Sequence, residues 1–106
     1  MAWMYLLAAG LLEIVWAYTM KLSQGFTRPA PTAATILVLL ASFALLSLSM
    51  KTLPLGTAYT VWTGIGGVGA FVVGVVMLGG PLTIGRVLAA ALIVAGLSVM
   101  KLTASA

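Results

Sequence analysis

The sequence predicts an all-α membrane protein with four transmembrane helices per chain, assembled as an antiparallel, dual-topology homodimer. Three observations lead there. The chain has 106 residues, 63% hydrophobic and 6% charged, whereas a soluble domain of this size needs roughly a quarter of its residues charged to cover its surface. Four stretches, near 3–20, 32–50, 55–78 and 84–100, have the length of about 20 mostly apolar residues that crosses roughly 30 Å of hydrocarbon. The five bases divide almost evenly between the two ends of such a bundle.

The first span carries Trp3 and Tyr5 near its start, amphipathic rings suited to the membrane interface. It does not read as a cleaved leader, because it lacks a basic start, carries Glu13 inside its apolar run and has no small-x-small cleavage site. The second span carries Thr35, Ser42 and Ser49 seven residues apart, so these hydroxyls repeat along one side of a helix. In the third, Tyr59 and Trp62 share a face with Gly66 and Gly69, and the run of glycines would let the helix bend or approach a neighbour closely. The fourth places Ala89 and Gly96 one heptad apart with Leu92 between them, a candidate dimer seam. The linkers LSQGFTRPAP, KTLPLG and GGPLT all carry Gly and Pro turn chemistry. Linkers this short force an up-down-up-down arrangement, and residues 1–106 are expected to form a single transmembrane domain.

Four spans put Lys51 and Lys101 on the side of the N-terminus and Lys21, Arg28 and Arg86 on the other. Orientation normally follows an excess of Lys and Arg on the cytoplasmic side. Two against three selects neither orientation, and insertion both ways up is the expectation.

Composition also excludes much chemistry. With no His, no Cys and one carboxylate, a single chain cannot assemble a zinc site, a nucleophile triad, a paired-carboxylate site or a thiol redox centre. Neither an enzyme nor a cofactor is expected. The net charge of +4 comes from scattered bases that form no stripe with interleaved aromatics, so nucleic acid is not an expected partner.

Glu13 is the only acid. It lies about 10 residues into the first span, near the bilayer midplane at about 1.5 Å per residue. An ionisable group at that depth is costly and marks a functional site by default. All five bases fall at span ends, so none neutralises it there. Such a group can exchange a proton for another cation; the alternative is a permanently protonated Glu bonded within a helix interface. Ala9, Gly10, Trp16 and Ala17 share its face at the i±3 and i±4 positions. A carboxylate neutralises a cation, aromatic faces attract it, and indole, phenol and hydroxyl groups add hydrogen bonds. Glu13, Trp16, Ser42, Tyr59 and Trp62 are therefore the candidate pocket for a small organic cation, with Gly10 giving room. One chain is a thin wall around a pathway, whereas an antiparallel pair supplies two such acids and a two-fold axis in the membrane plane.

The stretches GLLEIVWAYTMKLSQGFTRPAPT, with Glu13 and Trp16, and KTLPLGTAYTVWTGIGGVGA, with Tyr59 and Trp62, resemble the small multidrug resistance family over essentially the whole chain, and more closely its guanidinium-exporting subtype. Quaternary-ammonium exporters of that family typically have Gly-Thr where this chain has Val15, Trp16 and Ala17, and lack the lead-in from Lys51 to Pro54. The resemblance implies an antiparallel homodimer in a bacterial inner membrane that exchanges protons for guanidinium ions. By the same resemblance Glu13 would bind proton or substrate in turn, and Trp16, Ser42, Tyr59 and Trp62 would orient its carboxylate. One departure is Gly80, in a loop where guanidinium exporters often carry an acid before the proline; topology bias or stability is the expected consequence.

Guanidinium is planar and pairs with a carboxylate through two parallel hydrogen bonds. A quaternary ammonium has no N–H to donate and favours an aromatic cage. The nearest rival reading is a polyspecific exporter of such ammonium ions on the same scaffold. Rivals of another class are the proton-carrying ring subunit of a rotary ATPase, which the deep Trp16 and Trp62 disfavour, and a structural membrane subunit with an inert Glu13.

Overall fold

The computed structural model describes residues 1–103 and, among these, consists of four α-helices joined by short connections: α1 (Ala2–Leu22), α2 (Pro29–Ser49), α3 (Leu55–Leu78) and α4 (Ile84–Thr103). Each is long and apolar enough to cross a membrane. Every expected span coincides with one helix. The largest differences in boundary, three residues each, are at the end of α4 and at the start of α2, which begins at Pro29 because proline stands at its first turn, with Arg28 as the extended residue before it. Proline is pre-organised there, since the N–H it lacks would have no helical partner.

The connections are tight for identifiable reasons. After α1, the Ser23 hydroxyl donates to the Met20 carbonyl at 2.6 Å and accepts the Phe26 N–H at 3.1 Å. Ser23 thereby anchors a left-handed run through Gln24, Gly25 and Phe26, with φ of 50°, 74° and 65°. At the end of α3, Gly79 takes the left-handed conformation (φ 68°) and the Gly80 N–H reaches back to the Gly74 carbonyl at 2.8 Å. This is the glycine C-cap that satisfies the otherwise unpaired last carbonyls of a helix. Gly80, singled out for the missing acid, therefore completes a helix end through its backbone.

The helices form an open row, with Cα extents of 43 × 34 × 16 Å. In it α1 is flanked by α2 and α3, α3 carries α4 on its far side, and α2 only grazes α3. The start of α1 and the end of α4 meet at one face, where the Lys101 ammonium lies 4.9 Å from the centroid of the Trp3 ring. This agrees with Lys101 standing on the side of the N-terminus, and it gives Trp3 a partner in addition to its interfacial place.

The small interior comprises Leu6, Ala9, Leu46, Leu53, Ala58, Val61 and Trp62, together with the polar residues Ser23, Thr35, Ser42 and Ser49. Large aliphatic side chains cover the outside, and α4 has no buried residue at all. In water this distribution would be inverted. In lipid it is expected, because hydrocarbon solvates Leu and Val as well as a protein core does, and helices associate through small residues and hydrogen bonds instead. The backbones of α1 and α3 come close where Ile65 fills the space above Gly10 and Ile14 enters the space at Gly69. Despite its glycines, α3 runs unbroken from Leu55 to Leu78.

Candidate functional site

The polar line expected on α2 exists and faces inward: Thr35, Ser42 and Ser49 are all buried. Each solves its burial differently. Ser49 bonds back to the Leu46 carbonyl at 2.6 Å. Thr35 donates to the Pro31 carbonyl at 2.8 Å and meets the Thr19 hydroxyl of α1 at 2.7 Å.

Ser42 crosses between helices. Its hydroxyl donates to the Ala9 carbonyl of α1 at 2.7 Å, and its oxygen accepts the indole N–H of Trp62 of α3 at 3.1 Å. One serine thus joins three helices, with its single proton and an acceptor site both used. In the helical ladder the Ala9 carbonyl also receives the N–H of Glu13, so the node is attached to the peptide that sets the rise and rotation of Glu13.

Around Trp62 the rings of Tyr59 and Phe43 lie at 5.6 Å, tilted by 57° and 59°, within the favoured edge-to-face range. These three rings border an open crevice of about 360 Å³ between α2 and α3, lined also by Leu46, Ser47 and Met50. Trp62 is buried, whereas Tyr59 is half exposed, at 53%.

Glu13 lies on the α3 side of α1, with its carboxyl group against Gly66. Its Oε1 is buried and has no hydrogen-bond partner, and the same is true of the indole nitrogen of Trp16 one turn along. An unpaired buried polar group costs about 1–3 kcal/mol. Here an acceptor and a donor are left open side by side on one helix, in a chain that satisfies its other buried side-chain polar atoms among the described residues. All five bases are exposed, at helix ends or in loops.

Sequence reasoning placed Glu13, Trp16, Ser42, Tyr59 and Trp62 in one pocket. The structure brings Ser42, Tyr59 and Trp62 together and puts Glu13 and Trp16 beside each other. Within one chain it does not join the two groups by a hydrogen bond: Ser42 bonds to backbone and indole rather than to the carboxylate. Gly10 provides room, but for Ile65 of the same chain. Ala89, Leu92 and Gly96 lie exposed on α4. Phe43, the Thr19–Thr35 pair and the seat of Glu13 on Gly66 were not anticipated. Thr35 lies one heptad before Ser42 and Gly66 one turn after Trp62, so periodicity flagged their faces, but not what each would meet.

Four helices long and apolar enough to cross a membrane, with the one acid of the sequence on α1, define a small integral membrane protein. A sequence profile described as Small Multidrug Resistance protein matches residues 1–93. The chain belongs to that family. It is 52% identical over 104 residues to a guanidinium exporter of Salmonella typhimurium, covering 98% of this chain and 99% of that protein. It is similarly close to a guanidinium exporter of Citrobacter freundii, 52% identical with 97% and 98% covered. To one of Yersinia pseudotuberculosis it is 49% identical, with 96% and 98% covered.

Replacing Ser42 by Ala strands the Trp62 indole N–H and removes the second donor to Ala9. Thermal unfolding in detergent is expected to show a loss of about 1–3 kcal/mol, and the Trp62 indole proton should move upfield in an NMR spectrum. An unchanged unfolding midpoint would mean that this bond does not hold the three helices together.

Proposed function

We propose that the protein is a proton-coupled antiporter of the bacterial inner membrane that exports guanidinium and small substituted guanidinium cations, with proton and cation competing for Glu13. It is a transporter, not an enzyme. The observation that carries this reading is the buried, unpartnered Oε1 of Glu13, the only acid in the chain, in a protein whose relatives are named guanidinium exporters along nearly their full length. A guanidinium ion brings the N–H donors that this oxygen lacks, in a fork matching a carboxylate. The Trp16 N–H, also unpartnered, is one turn away to bond the second carboxylate oxygen once the first is engaged. The Tyr59, Trp62 and Phe43 rings supply π faces for the cation, and the Ser42 node holds Trp62 rigid among them.

A proton and a guanidinium ion cannot share one carboxylate. Bound cation expels the proton, and a proton arriving from the other side expels the cation, which is the coupling that antiport needs. Apparent guanidinium affinity therefore falls as pH falls.

The working unit is an antiparallel homodimer. A single chain is an open row whose α4 touches α3 and buries none of its described residues. A second, inverted copy would enclose the Glu13 face, and the even split of bases permits either orientation. Ala89, Leu92 and Gly96 form the proposed seam: all are exposed, and a Cβ added at Gly96 meets no atom of its own chain within 4 Å.

In liposomes holding the purified protein, an imposed guanidinium gradient is expected to drive protons the opposite way, and Glu13→Gln to abolish the exchange. A Gln variant that transports like the wild type would overturn the mechanism, and a preference for tetraalkylammonium over guanidinium in the same assay would move the protein to the ammonium-exporting subtype. For topology, the absence of native cysteine allows single cysteines at the exposed Gln24 and Thr52. Each should be labelled from outside intact cells in part of the population, and labelling at only one of the two would exclude the antiparallel pair. Gly96→Leu should leave the fold of each chain intact and weaken pairing by about 1–3 kcal/mol, read by energy transfer between labelled subunits in vesicles. Unchanged transfer would place the seam elsewhere.

A further inference from the structure

Glu13 and Ile14 are consecutive on α1 and enter consecutive gaps on α3, at Gly66 and Gly69. The two gaps hold different chemistry. At Gly69 an added Cβ would strike the aliphatic tip of Ile14; at Gly66 it would strike Oε1 of Glu13 first, then the carboxyl carbon and Cγ. It is the functional end of the glutamate, not its stem, that lies against the α3 backbone. Gly66 is buried, and so is the oxygen resting on it.

We infer that Gly66 is a positioning residue for Glu13: the bare Cα of α3 is the seat that fixes where the carboxyl group sits, and hence where proton and guanidinium exchange. The inference rests on Glu13 being the exchange site. Three features support a seat rather than a chance contact. Oε1 has no polar neighbour holding it, so its place is set by shape. The α3 side of that shape is rigid, because Trp62, one turn before Gly66, is bonded through Ser42 to the Ala9 carbonyl of α1. The α1 side is rigid too, since Ile14 packs at Gly69 and Ile65 packs on Gly10. Two backbones held at this spacing leave room for a carboxyl group over a glycine and for nothing larger. Any methyl at position 66 must push the carboxyl group off its seat or push the helices apart.

The two consequences are separable by shortening the acid. Aspartate withdraws the carboxyl group by one methylene, about 1.5 Å, and makes room for the methyl of alanine. Guanidinium chloride binding, followed by tryptophan fluorescence at fixed pH, is measured for the wild type, Gly66→Ala, Glu13→Asp and the double variant. Gly66→Ala alone is expected to lose about tenfold or more in affinity, the scale set by misplacing a binding group by about 1 Å. In the double variant the same Gly66→Ala change should cost much less than it does beside Glu13, a positive coupling in the double-mutant cycle. Gly69→Ala, which presses on Ile14 instead, should lower the unfolding temperature and show no coupling to Glu13→Asp.

Wild-type affinity in Gly66→Ala, or purely additive effects in the cycle, would overturn the seat. If Gly66→Ala alone does not fold, the same cycle is read in stability: Glu13→Ala should restore folding of the double variant, and failure to do so would show that position 66 serves the backbone and not the carboxyl group. Should Glu13→Gln transport normally while the stability cycle remains coupled, the seat stands and the exchange role of Glu13 falls.

Discussion

Hydrocarbon does not drive apolar side chains together, and this constraint governs the architecture. A leucine gains little by leaving lipid for a protein interior, so the helices are held by close backbone approach and by the few hydrogen bonds lipid cannot supply. Both devices converge on α1. The Ser42 hydroxyl ties it to α2 and, through Trp62, to α3, while Gly10 and Gly69 let α1 and α3 interlock. The height and rotation of α1, and with them the place of Glu13, are set by this serine together with the interlock at Gly10 and Gly69. The buried set reflects the same solvent: four hydroxyl residues beside seven hydrophobic ones, with most large aliphatic side chains outside.

Against that satisfied node stands an unsatisfied pair. Ser42 uses its donor and an acceptor site; one turn along α1 from Ala9, the Glu13 oxygen and then the Trp16 nitrogen have no partner. Low dielectric makes every open valence costly; among the described residues the other buried side-chain polar atoms are paired, and under the proposed exchange these two are the ones that an arriving cation would meet. Rigidity and availability are thus placed next to each other. The Ser42 node and the aromatic contacts fix the surroundings, and the acid, under the proposed exchange, would keep its capacity for a cation or a proton.

The single chain also ends without closing. A row of helices with α4 on its rim buries nothing on that rim, and the carboxylate and the aromatic cluster remain separate groups within one copy. Under the proposed antiparallel pairing, a two-fold axis in the membrane plane would present each Glu13 to the other's aromatic rings. Small size would then become a reason for symmetry: in that pairing a chain of 106 residues would reach the helix count of an inverted-repeat transporter by using itself twice.

Span number, span limits to within a few residues, and the singular position of Glu13 were legible in the sequence alone. They follow from composition along one axis: hydrocarbon thickness sets helix length, and the scarcity of charge singles out the acid. The inward line of Thr35, Ser42 and Ser49 was legible as well, because a seven-residue repeat fixes a helix face whatever lies opposite. Tertiary structure alone decided what lay opposite. That Ser42 bonds to a backbone carbonyl and an indole instead of the carboxylate, that Gly10 is filled by Ile65, and that Gly66 carries Glu13 are all matters of rotation and height between helices. Helices free to slide and turn in lipid take these from contacts between residues far apart in sequence, and no periodicity within one helix encodes them.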